Sequence, residues 1–61
     1  MTIENILKRV DPFKRCQLNY AGSITQFESV PDCYYECDAY DLLDEQAEYH
    51  ITKNVVYIIV K

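Results

Sequence analysis

A chain of 61 residues, 49% hydrophobic and 26% charged, has the composition of one small folded domain rather than a disordered tail. At that size only about 60% of the unfolded surface is buried, which leaves no room for a deep cleft closed by a second domain. The net charge of −4 disfavours direct nucleic-acid binding, and the longest apolar run, Val55 to Val60, is far short of the roughly 20 residues of a membrane span.

Ile3, Ile6, Leu7 and Val10 recur at i, i+3, i+4 and i+7, one stripe of an amphipathic helix. Thr2 can cap it, Glu4 suits its first turn, Lys8 and Arg9 suit its last, and Pro12 disfavours helical geometry at Asp11. Cys16, Leu18 and Tyr20 then alternate with Arg15, Gln17 and Asn19, the period of a half-buried strand. Ala21-Gly22 predicts a tight turn and Ser23 to Glu28 a return strand, with Leu18 facing Thr25 and Cys16 facing Phe27.

Ser29-Val30-Pro31-Asp32 reads as a break, and residues 32–37 fit a loop, a helical turn or a short strand. Asp38 can cap a short helix over Ala39 to Gln46, with Ala39, Leu42, Leu43 and Ala47 apolar and Asp41, Asp44 and Glu45 in water. Glu48 to Thr52 and Val55 to Val60 are β-rich runs on either side of Lys53-Asn54, where Asn tolerates left-handed geometry. The expected order is α-β-β-α-β-β: an α+β single domain over residues 1–61, with a mainly antiparallel sheet packed on one or two short helices. The expected core is Ile3, Ile6, Leu7, Val10, Leu18, Phe27, Leu42, Leu43, Ile51, Val56 and Ile58.

This arrangement resembles a loose group of small, mostly uncharacterised accessory proteins of phages and prophages of Gram-positive bacteria. The matching stretches are Met1-Thr2-Ile3 with Ile6-Leu7 and Val10-Asp11-Pro12, Phe27-Glu28 with Val30-Pro31-Asp32, Leu42-Leu43-Asp44-Glu45, and Asn54 to Val60. The resemblance implies a dispensable phage-type protein working on a host component, a class that includes inhibitors of bacterial defence. The Cys/Tyr cluster at 33–37 departs from the pattern, and no functional residue carries over.

Three cysteines are an odd number for a disulfide framework, and the opening residues lack a signal-peptide layout, so free thiols in a host-cell cytoplasm are expected. Cys16, Cys33, Cys37 and His50 offer a Cys3His zinc set for a stapled adaptor, since thiolate and imidazole suit tetrahedral zinc. Packing of free cysteines is the stronger reading, and neither metal nor cofactor is expected. One histidine, one glycine and no nucleophile motif leave little for catalysis or phosphate binding.

Residues 28–48 are more informative. They carry Glu28, Asp32, Glu36, Asp38, Asp41, Asp44, Glu45 and Glu48 with no Lys or Arg, interleaved with Tyr34, Tyr35 and Tyr40. Such a face attracts a basic surface on a protein partner, and Glu36, Asp38, Tyr40, Asp41, Asp44 and Glu45 are the expected contacts. The plainer reading is an acidic surface serving solubility. In the C-terminal hairpin, alternation puts Tyr49, Ile51, Val56, Ile58 and Val60 on one face and His50, Thr52, Val55, Tyr57 and Ile59 on the other. The second face predicts a homodimer through His50, Val55, Tyr57 and Ile59, unless residues 30–37 fold over it. A self-assembling phage component without a host target is the alternative function.

Overall fold

Thr2 closes the start of the first helix: its Oγ1 accepts the Asn5 backbone N–H at 3.2 Å. In the computed structural model, which describes residues 1–61, α1 spans Ile3–Arg9 and ends at extended Val10, ahead of Pro12. Asp11 then turns the chain, its Oδ1 accepting from Phe13 N–H at 2.9 Å.

β1 (Arg15–Tyr20) and β2 (Ser23–Phe27) form the expected hairpin, with Cys16 opposite Phe27 and Leu18 opposite Thr25. Both loop residues are left-handed, Ala21 at φ 52° and Gly22 at φ 81°, which is the type I′ turn matched to strand twist. Glycine adopts that geometry freely and alanine does not. Ala21→Asn, which supplies the preferred Asn-Gly pair, is expected to stabilise the fold by roughly 0.5–1 kcal/mol. A urea midpoint that fails to rise would show that the turn stores no such strain.

The second helix departs from expectation. α2 spans Val30–Ala39, and residues 40–46 are turns rather than a helix over Ala39 to Gln46. Ser29-Val30-Pro31-Asp32 is a helix start and not a break. Ser29 Oγ accepts the Asp32 N–H, Pro31 sits in the first turn where it removes no needed donor, and Asp32 suits the positive end of the helix. Val30, Cys33 and Cys37 form the buried stripe. Beyond the Tyr40 cap, Asp41 is left-handed at φ 59°. Leu42 N–H donates to Cys37 O at 2.7 Å and Asp41 N–H to Asp38 O at 3.2 Å. That is a Schellman ending with aspartate in the place usually held by glycine. The following turn satisfies the start of α1, since Ile3 and Glu4 donate to the carbonyls of Glu45 and Leu43, each at 3.0 Å.

β3 (Ala47–Ile51) and β4 (Val55–Val60) pair in the expected register, Ile51 with Val56 and His50 with Tyr57. The turn differs in mechanism, because neither Lys53 nor Asn54 takes positive φ. Thr52 Oγ1 instead accepts the Val55 N–H at 3.1 Å, and the Lys14 ammonium binds the carbonyls of Thr52 and Lys53.

The sheet order is β2-β1-β4-β3. Its outer pairs are antiparallel and its central pair, β1 with β4, is parallel, so the sheet is mixed. Both helices cover one face. Beneath them lie Cys16, Leu18, Val56 and Ile58, joined by Ile3, Ile6, Leu7, Val10, Val30, Cys33, Cys37 and Ala47. Phe27, Leu42 and Leu43, expected in the core, are only partly buried against it. Ile51, also expected there, is 44% exposed, because it sits on an edge strand.

A candidate protein-binding groove

α2 stops at Ala39 and its Schellman turn carries the chain back towards α1, while the β1–β2 hairpin runs on. A groove of about 490 Å³ opens where the helix cover ends. Leu18 and Tyr20 of β1 and Thr25 and Phe27 of β2 form its floor, Ala21 and Ser23 its end, and Glu36, Tyr40 and Leu42 its wall. The size suits a few side chains of an extended segment, and the lining is mainly apolar with one carboxylate.

The structure divides the expected acidic contacts. Glu36 and Tyr40 line the groove; Asp38 and Asp41 share the end of α2 but lie outside the lining, Asp38 on the side of Tyr34. Asp44 and Glu45 lie in the turn that caps α1, so they belong to a different part of the surface. The only ion pairs are Lys8–Glu4 and Lys61–Glu48, so the acidic groups from Glu28 to Glu45 have no cation within 4.0 Å. Glu36, Asp38 and Asp41 also crowd the negative end of α2, which has no basic residue in its last turn. Helix electrostatics disfavour carboxylates there, so the local sequence is not arranged for helix stability. Glu48 differs: Lys61, at 2.7 Å, holds its carboxyl below the usual range.

The groove escaped the sequence reading, although its signal was present. Tyr20 and Phe27 alternate onto the inner face of the hairpin, and the helix above them is too short to cover both.

The zinc set does not assemble. Cys16, Cys33 and Cys37 meet in the core, with the Cys33 and Cys37 sulfurs 4.0 Å apart. His50 is exposed and lies on the opposite face of the sheet, paired with Tyr57. Hydrogen bonding with Cys16 and then Cys37, together with burial, raises the Cys33 pKa far above that of a free thiol, and the bond from Cys33 lowers Cys37. Three thiols buried side by side in the core act here as small apolar packing groups. Tyr34 also has a structural task. Its hydroxyl donates to Glu4 Oε2 at 3.0 Å, tying α2 to α1, and the carboxylate raises the pKa of the phenol by holding its proton.

The expected dimer residues His50, Val55, Tyr57 and Ile59 share the outer face of the sheet, and α2 lies on the other side, so residues 30–37 do not cover them. Ile24, Asn19, Ile59 and Glu48 form one cross-strand row there, and Gln26, Gln17, Tyr57 and His50 the next. Ile24 is 64% exposed. Asn19 Oδ1 is buried in this row without a hydrogen-bond partner. No helix is long and apolar enough to cross a membrane. Comparison with protein-family models, with curated proteins and with solved structures finds no match.

Proposed function

We propose that this chain is a protein-binding module without chemistry of its own, which holds a basic segment of a partner in the groove beside the acidic end of α2. The observation that carries the reading is the coincidence of an apolar groove with Glu36, Asp38 and Asp41 at a helix end that has no compensating cation. Carboxylates placed against the helix dipole and left unpaired weaken the fold slightly, and attraction of a basic surface gives them a use. With the phage-type resemblance, the partner is a host protein, and the module works as an inhibitor or modulator, bacterial defence being the host system that the resemblance favours.

The test is capture from bacterial host lysate with the wild-type chain and with a Glu36→Lys, Asp38→Lys, Asp41→Lys variant. A stoichiometric basic protein should bind the wild type and weaken as salt rises, since exposed charges are screened within about 8 Å at physiological ionic strength. Its association rate should fall about tenfold or more in the triple variant. A second triple, Asp41→Lys, Asp44→Lys, Glu45→Lys, should have a smaller effect, because it leaves in place Glu36, the carboxylate that lines the groove. Recovery of nothing but further copies of the chain would favour the self-assembling alternative.

A second reading concerns the outer sheet face, where Ile24 and Ile59 stand exposed on the strands either side of β1 as apolar surface that a second copy would cover. This face is also nearly balanced in charge, with Arg15 on β1 and Glu48 paired to Lys61, so two copies of an acidic chain can meet there without strong repulsion. The reading is a homodimer through Val55, Tyr57, Ile59 and His50.

A further inference from the structure

We propose that the groove takes its partner as an added β-strand, paired along the open edge of β2. The inference rests on the groove reading above and specifies the form of the bound segment.

β2 is an edge strand with β1 as its only neighbour. Tyr20 and Ser23 flank a two-residue type I′ turn, so they form the hydrogen-bonded pair next to it. Pairing then alternates along the ladder, which turns the backbone N–H and C=O of Ile24 and Gln26 to the open side. Edge strands are normally blunted by charge, proline or a covering segment. Ser23–Phe27 holds no charged residue and no proline. The opposite edge is managed differently. Ala47 N–H donates to Met1 O at 2.8 Å, Thr2 bridges to Gln46, and Glu48 is paired to Lys61.

The groove lies on the inner side of this bare edge, and Thr25 and Phe27 of β2 are part of its floor. A strand laid against Ile24 and Gln26 would therefore send alternate side chains into the groove. There they meet Phe27 and Tyr40, and a lysine or arginine could lay its stem on those rings and reach Glu36 with its charge. Charge also selects the occupant. From Tyr20 to Ala47 the chain has no Lys or Arg. Two copies paired edge to edge would bring together two stretches that carry carboxylates and no cation, so the complement is a basic segment of a different protein.

The probe is the acetylated, amidated peptide Thr-Val-Thr-Lys-Thr-Val-Thr, titrated into labelled wild-type protein and followed by amide NMR. Exchange at Ile24 and Gln26 should slow about tenfold or more at saturation, as expected for newly bonded amides. Gln26→Pro removes an outward N–H without breaking a bond to β1, and should weaken binding about tenfold. The same loss should follow from N-methylating alternate peptide amides on one edge of the probe and not on the other, which leaves the protein unaltered if Gln26→Pro fails to fold. Replacing the peptide lysine by glutamate, or Glu36→Lys in the protein, should also weaken binding. Loss with Glu36→Lys but unchanged binding by both N-methylated peptides overturns strand addition and leaves the acidic groove standing. A peptide whose binding ignores Glu36→Lys as well overturns both.

Discussion

Ile58→Ala is expected to leave little folded protein at 37 °C. Ile58 is fully buried in central β4, opposite Leu18 on one side and Tyr49 on the other. Truncating such a side chain costs about 2–5 kcal/mol, because the cavity left behind closes only in part. A domain of this size has roughly 3–9 kcal/mol in total. Since 1 kcal/mol moves the melting temperature of a small domain by about 4–8 °C, the midpoint should fall by tens of degrees. Ile6→Ala, fully buried on α1, should behave alike. Ile51→Ala is the internal contrast: on its exposed edge it should cost less than about 1 kcal/mol. Equal melting temperatures for Ile58→Ala, Ile6→Ala and wild type would mean that the helices do not pack on this face.

The second large effect is expected in mass. At micromolar concentration light scattering should give about twice 7.2 kDa for the wild type and 7.2 kDa for a Tyr57→Asp, Ile59→Asp variant. Tyr57 and Ile59 adjoin Gln17 and Asn19 at the middle of the outer face, and a carboxylate at each would be desolvated by any second sheet laid on it. Dimerisation also predicts a melting temperature that rises with protein concentration in the wild type and not in the variant. A wild-type mass of 7.2 kDa that does not change with concentration rejects the dimer.

Local geometry made the hairpins readable. Ala21-Gly22 and Lys53-Asn54 each separate alternating runs by two residues, and that spacing determines which residues face each other whatever the turn type. The first helix was equally open, since its stripe, cap and stop agree. α2 was missed for a chemical reason. Ser29-Val30-Pro31-Asp32 reads as a break because it holds proline, whereas Ser29 and Pro31 begin a helix whose apolar stripe is Val30, Cys33 and Cys37. The parallel pairing of β1 with β4 joins distant segments, and no local pattern reports it. The groove depends on where α2 ends relative to the hairpin, so the acidic pattern points to Glu36 and Tyr40 of its wall, while Leu18 and Phe27 of its floor read as ordinary core.

The position of β4 has a consequence for synthesis. It is the last of the six elements in the chain, yet it lies in the middle of the sheet and pairs with β1 across about 40 positions, Arg15 with Val55. Until Val55–Val60 has left the ribosome, α1 and α2 have only half a floor to pack on, and β1 shows an unpaired side to its surroundings. Folding is therefore set to wait for β4, as one cooperative event limited by a long loop closure. A ribosome-stalled chain ending at Asn54 should remain sensitive to protease, and full protection should come only when the final strand is free to insert between its two neighbours.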